Sequence, residues 1–212
     1  MLFVKKVTWS VLRQLHLSAP LALMRSSGLA EEGWYKSYYA RQPVDNKGNA
    51  IPWYTYPAIH FLEQRLKSAF RVFEYGCGNS TLWYASRVSR VVAVEHDPKW
   101  VKIVSPRLPD NALVVHRPLD DTYVREIARH GAFDLVAIDG RMRAECSLVA
   151  LNNLGDHGVI LWDNSDREGY ANAINHILAA GFREISFTGM MPIAEYTSRT
   201  SILYRDGNCL EI

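Results

Sequence analysis

The stretch Val72-Phe73-Glu74-Tyr75-Gly76-Cys77-Gly78-Asn79-Ser80-Thr81 decides the fold. An apolar, β-branched and aromatic run reaches two glycines at alternate positions, then passes into small polar residues that open a helix. This predicts a strand over 71–75 and a helix over 79–88. The same unit recurs downstream. Strands over 91–95, 112–116, 134–138 and 158–162 alternate with helices over 98–106, 121–130, 142–154 and 166–180. Near-continuous apolar runs between helices mean strands buried on both faces, so the reading is a doubly wound α/β fold with a mainly parallel sheet. The final runs, 183–188 and 199–205, have only about a dozen residues between their apolar centres, interrupted by Gly189 and Pro192, too few for a crossover helix. The last strand is therefore expected to be antiparallel, in a sheet of about seven.

Upstream of this unit, Pro57 opens an amphipathic helix with Ile59, Leu62 and Leu66 on one face. Residues 1–56 read as a helical, aromatic N-terminal extension and residues 57–212 as the main domain. In the extension, Ser18-Ala19-Pro20 looks like a helix start, Ser27-Gly28 a helix stop, and Asp45-Asn46-Lys47-Gly48-Asn49 a turn. Seven of the 17 Trp and Tyr residues fall between Trp34 and Tyr56: Trp34, Tyr35, Tyr38, Tyr39, Trp53, Tyr54 and Tyr56.

Composition bounds the rest. A chain of 212 residues with 48% hydrophobic and 22% charged content is globular, neither disordered nor a disulfide-stapled miniature. A net charge of +2 lacks the strongly basic footprint of a nucleic-acid binder, so none is expected as a partner. Residues 1–50 carry seven Lys/Arg, Lys5 and Lys6 among them, against three acids, leaving +4 there and −2 in the remainder. That excess reads either as a solvated helical face or as an attraction to an anionic surface or acidic substrate. Cys77, Cys146 and Cys209 are odd in number and widely spaced, which suits a reducing compartment. No stretch is apolar for the ~18–20 residues a membrane span requires, and the expected location is cytoplasmic.

The chemistry gathers at strand ends. Gly76 and Gly78 let the backbone approach a ligand. A dinucleotide fingerprint would have a third glycine where Thr81 stands, and Glu74 before the loop would repel a pyrophosphate. An acid at that point suits an ammonium or sulfonium group, and Glu95, ending the next strand, is placed to accept from ribose hydroxyls. A cation together with a ribose points to S-adenosylmethionine. Cys77 has no sequence neighbour that would activate its thiol, and reads as a small residue packed under the ligand.

At these residues the chain resembles the class I S-adenosylmethionine-dependent methyltransferases over about 70–205. Glu74, Gly76, Gly78, Asn79 and Ser80 match that family's first motif, and Glu95 its ribose-binding acid. The resemblance implies a Rossmann-like sheet with an antiparallel last strand. It places Cys77, His96 and Asp139 beside the cofactor, and Leu119 and Asp120 beside its adenine. Asp120 and Asp121 are also candidate caps of the helix that follows. The string from Pro52-Trp53-Tyr54-Thr55-Tyr56-Pro57 to Thr200-Ser201-Ile202 resembles a bacterial subgroup of the class associated with glycan or secondary-metabolite modification.

Asp139 ends the fourth strand, and Asp163-Asn164 the fifth. Two carboxylates and an amide oxygen are hard ligands suited to Mg²⁺ or another divalent cation. The trio resembles the metal site of catechol and caffeoyl-coenzyme A type O-methyltransferases. Those enzymes have a Lys where this chain has Met142, flanked by Arg141 and Arg143, and a guanidinium is a poor base. Without metal, Asp139 or Asp163 is the candidate catalytic base. Asp166 and Arg167 read as a helix cap and a surface ion pair.

The expected activity is therefore methyl transfer from S-adenosylmethionine to an oxygen, or alternatively a nitrogen, of a small polar acceptor such as a sugar, glycan or secondary metabolite. The alternatives are a non-catalytic binder of the same nucleoside and, disfavoured by Thr81 and Glu74, an NAD-dependent oxidoreductase. For the aromatic extension the residues leave three roles open: contact with the acceptor, contact with a second copy in a homo-oligomer, or packing onto the sheet.

Overall fold

The computed structural model describes residues 9–212, so Lys5 and Lys6 lie outside the described residues. Seven strands form one sheet: β1 (Arg71–Tyr75), β2 (Arg90–Glu95), β3 (Ala112–His116), β4 (Phe133–Ile138), β5 (Leu154–Asp163), β6 (Arg183–Met190) and β7 (Thr197–Tyr204). Their order is β3-β2-β1-β4-β5-β7-β6. The first five pair in parallel, whereas β7 is antiparallel to both β5 and β6. The seven predicted strands and the antiparallel last strand match this arrangement.

The order has a consequence for function. β2 and β3 are laid to one side of β1, and β4 starts the other side. The carboxyl ends of β1 and β4 therefore flank the switch point, where an open parallel sheet leaves a crevice.

Among the described residues the sheet is preceded by α1 (Ser18–Arg25), α2 (Gly28–Glu31), α3 (Trp34–Ala40) and α4 (Tyr56–Glu63). Residues 9–14 are also helical. Between the strands lie α5 (Asn79–Ala85), α6 (Pro98–Val104), α7 (Asp121–Arg125), α8 (Arg143–Leu151) and α9 (Ala171–Ala179). Alternation along β1 divides the core. Val72 joins Tyr54, Leu62, Trp83 and Ile202 on one face, while Phe73 and Tyr75 join Tyr123, Ile127, Trp162 and Ile177 on the other.

The expected stop at Ser27 is found and also opens the next helix: α1 ends at Arg25, and the Ser27 hydroxyl donates to Leu23 O while accepting from Ala30 N to cap α2. Two expected boundaries shift because specific side chains find partners. After α7 the chain tightens into a 3₁₀ turn, Glu126–Arg129, because buried Glu126 pairs with Arg117 at 2.7 Å and His130 at 2.9 Å. Asp166 does not cap a helix. Its carboxylate accepts from Ser198 Oγ and Arg199 N on β7, so α9 begins only at Ala171.

The latter half of the extension is part of the core. Trp34 Nε1 donates to Ala194 O at 2.8 Å, and Asn79 Nδ2 donates to Pro43 O at 2.7 Å. Asp45 closes the expected turn by accepting from Lys47 N and Asn49 N, which lets Val44 bridge Ala50. Ile51, Tyr54 and Tyr56 are buried, and Thr55 N donates to Thr200 Oγ1 at 3.1 Å.

Candidate active site

Gly76 follows β1 with φ +95°, a left-handed conformation that favours glycine. A Cβ there would come within 3.2 Å of Gly140 Cα, and one on Gly140 would come within 2.8 Å of Gly76 N. The two strand-end loops thus pack backbone to backbone, which holds Glu74, Glu95, Asp139 and Asp163 around one cavity of about 420 Å³. That volume lies within the range of small-molecule sites.

Glu74 is 1% exposed and accepts from Thr81 Oγ1 at 2.5 Å. The same Thr81 hydroxyl accepts from Gly78 N at 3.0 Å, so the residue that replaces the third glycine ties the buried acid to the loop. Burial raises the Glu74 carboxyl to about 8; hydrogen bonds from Ser80 and Thr81 oppose this, and the charges of Asp139 and Glu95 add to it.

Glu95 is also buried. Its Oε1 accepts from His96 N at 2.7 Å and Asp97 N at 2.9 Å and meets His96 Nδ1 at 2.7 Å, whereas Oε2 meets only the longer Cys77 N contact at 3.3 Å. Trp100 Nε1 donates to Cys77 O at 2.7 Å, so an indole braces the glycine loop from α6. Burial and the neighbouring acids push the Cys77 thiol well up, in keeping with a packing role and against a nucleophile.

Across the cavity, Arg143 fastens the ends of β4 and β5. Its Nε donates to Gly140 O at 3.0 Å, Nη1 to Asp163 O, and Nη2 to Asp139 O at 2.7 Å and Asp139 Oδ1 at 3.1 Å. Asp163 Oδ1 accepts from Thr200 Oγ1 at 2.8 Å, and Asn164 Nδ2 donates to Ser198 Oγ at 3.1 Å. Burial lifts Asp139 to about 6, against the pull of Arg143 and then Arg167. Burial, then the Asp139 charge, also lifts Asp163 well above the ordinary carboxylate range.

These residues do not fit the expected divalent cation. The position beside Asp139 is held by a guanidinium, Asp163 Oδ1 accepts from Thr200, and the Asn164 amide nitrogen is turned to β7. No cluster of three or more His, Cys, Asp or Glu able to hold a metal occurs among the described residues.

Of the expected site residues, Glu74, Gly76, Cys77, Ser80, Glu95, His96, Asp139, Asp163 and Asn164 line the cavity, and Gly78 lies in the same loop. Three do not reach it. Asn79 spends its side chain on Pro43 O and Arg107. Asp120 caps α7 by accepting from Thr122 N at 2.8 Å, leaving Leu119 beside it in solvent. Sequence reading missed Arg167, Met191 and Tyr196, which join Trp53 and Arg141 around the cavity. Neither Arg141 nor Arg167 makes an ion pair among the described residues. Of the seven Trp and Tyr residues between Trp34 and Tyr56 only Trp53 lines the cavity; Tyr54 and Tyr56 are core, and Tyr39 is in solvent.

No family model matches the chain, and no curated protein matches it in sequence. Solved structures do match in shape. Precorrin-6y C5,15-methyltransferase from Geobacter metallireducens GS-15 is 14% identical, with a TM-score of 0.54 over 70% of this chain and 87% of its own. A methyltransferase from Geobacter sulfurreducens is 17% identical, with a TM-score of 0.52 over 90% of this chain and 96% of its own. Spermidine synthase from Thermotoga maritima is 14% identical, with a TM-score of 0.55 over 72% of this chain and 58% of its own. Transferases of more than one kind share this architecture, so likeness at such identity speaks for the fold and not for the reaction. The chain has the Rossmann-like α/β fold of these transferases, with an antiparallel seventh strand.

Proposed function

We propose that this chain transfers a methyl group from S-adenosylmethionine to an oxygen of a small polar acceptor. The observation that carries the reading is Glu74: a buried carboxyl raised to about 8 beside a glycine loop, facing a cavity, with a second buried acid, Glu95, on the adjacent strand. A buried acid lacking a cationic partner favours a ligand that brings one. Glu95 Oε2 is the less occupied oxygen and suits a ribose hydroxyl, while Gly76 leaves the backbone room for close approach.

Bound S-adenosylmethionine would supply an electrophilic methyl on a sulfonium. The chain's own residues would align the acceptor and take its proton. Asp139, raised to about 6, is largely ionised at neutral pH and is the assigned base; Asp163, also raised by burial, is anchored by the Thr200 hydroxyl. Arg143 holds both strand ends in register, so the base is positioned by a fixed cation and no step is routed through a metal. Trp53 and Tyr196 offer ring faces at the cavity, and the free Arg141 and Arg167 suit an anionic group on the acceptor.

Titration calorimetry with S-adenosylhomocysteine, S-adenosylmethionine and NAD tests the cofactor assignment. Micromolar binding of the first two and none of NAD is expected; tight NAD binding without a response to the adenosyl sulfur ligands overturns it. Transfer of labelled methyl to a panel of hydroxylated acids and sugars, unaffected by chelator, then separates an enzyme from a non-catalytic binder.

A further inference from the structure

The segment before α2 presents a surface that the rest of the chain leaves uncovered. Residues 9–14 are helical, the backbone breaks at His16 with φ +56°, and α1 follows. No residue between 9 and 32 is buried. Val11, Leu15, Leu17, Leu21, Leu23 and Met24 are all exposed, Leu15 at 60%. An eight-residue helix with no buried face is marginal in water, and contiguous exposed aliphatics mark a contact surface.

Charge selects the partner. The first thirty residues contain Lys5, Lys6, Arg13 and Arg25 and no Asp or Glu. Arg13 and Arg25 are exposed and make no ion pair among the described residues. A second copy docked on this face would bring the same cations together, which is repulsive. An anionic lipid surface instead offers opposite charge to the arginines and an acyl boundary to the leucines. Trp9 has the amphipathic ring that settles at such a boundary. Among the described residues no helix is long and apolar enough to cross a bilayer, so the segment would lie on the surface.

We propose that residues 9–27 are a surface anchor that docks the chain on a bilayer containing anionic lipid. The inference is independent of the reaction assigned to the cavity, since none of these residues lines it.

Sedimentation of the full chain with vesicles is the test. One set is phosphatidylcholine alone, and the other contains about a third phosphatidylglycerol. Partitioning onto the anionic set is expected to be at least about tenfold stronger at low salt and to weaken as salt rises. The pair Arg13→Glu with Arg25→Glu should lower it about tenfold or more, and Leu21→Ser with Leu23→Ser should lower binding similarly. Unfolding midpoints of both variants should stay near that of the unaltered chain; if the Leu pair fails to fold, the surface Arg pair still decides. The proposal is overturned if the chain stays in the supernatant with both vesicle sets. It is equally overturned if binding ignores lipid charge and salt, or if the folded Arg pair binds unchanged. Light scattering that finds a dimer abolished by the Leu pair assigns the face to a second copy and overturns it too.

Discussion

Burial holds the Glu74 carboxyl at about 8, so between its usual 4.5 and that value the folded chain keeps a proton that the unfolded chain has released. The sign follows: this group's contribution to stability falls as pH rises from about 5 to 8. Glu74→Gln should flatten that slope and be the more stable protein at pH 8, read from unfolding midpoints at several pH values. A ligand that brings a cation reverses the balance by favouring the carboxylate. Binding of S-adenosylhomocysteine, through its ammonium, should therefore release protons near pH 7 and tighten as pH rises. Calorimetry in buffers of differing ionisation enthalpy reads this directly. Glu74→Gln should lose the proton release and weaken binding about tenfold or more, the worth of a charge-assisted hydrogen bond. For Asp139, raised to about 6, the rate should climb with pH through that region, the apparent value belonging to the Asp139 and Asp163 pair. Asp139→Asn should cut kcat by about 10²–10⁴ and remove the rise, while leaving S-adenosylhomocysteine affinity within a few-fold. The acids were legible in the sequence because each ends a recognisable strand. Thr81 was legible only as a missing glycine, because its role depends on the first turn of α5 folding its hydroxyl back onto Glu74. Asp120 was open to two readings, a helix cap and an adenine contact, and it takes the cap by accepting from Thr122 N.

Strands and helices were readable wherever their periodicity was local, and less so where distant partners set their ends. β1, β2 and β4 fall near the expected runs because burial on both faces demands continuous apolar residues, and β3 extends the same pattern at the half-exposed sheet edge. The late start of α9 follows from Asp166 bonding to β7, more than thirty residues away, which no local pattern announces. The meeting of the loops after β1 and β4 is of the same kind. Sequence shows Gly76 and Gly140 as separate turn residues; the sheet order makes them neighbours. Gly140→Ala would put a methyl 2.1 Å from Tyr123 Oη and 2.9 Å from the Tyr75 carbonyl carbon, and the latter is backbone that cannot swing aside. We expect a loss of about 2–3 kcal/mol in stability and a larger relative loss of ligand affinity, because both loops line the cavity. Gly169→Ala, which meets nothing within 4 Å, is the matched control and should change neither denaturant midpoint nor affinity.

For the molecule as a whole, one core cluster runs across residue 56 without a seam. The aromatic excess of residues 34–56 was visible from composition, but which rings pack and which meet a ligand was not, because that depends on how the extension crosses the sheet. Tyr54 and Tyr56 go into the core, Trp34 anchors to Ala194, and Trp53 alone lines the cavity. A polar chain follows from this crossing: Thr55 N donates to Thr200 Oγ1, which donates to Asp163, so the extension steadies the carboxylate it never touches. Truncation should expose the difference between the two halves. Removing residues 1–27 takes away no buried side chain among the described residues, so the remainder should fold with a midpoint within a few degrees of the full chain. Removing residues 1–56 strips Ile51, Tyr54 and Tyr56 from the core. At about 1.5–3 kcal/mol for each large apolar side chain, that loss rivals the entire stability of an ordinary domain. The shorter product should be recovered unfolded or aggregated, by circular dichroism and light scattering. A folded, ligand-binding 57–212 fragment would show instead that the sheet is complete without its extension and that the link from Thr55 to Asp163 is dispensable.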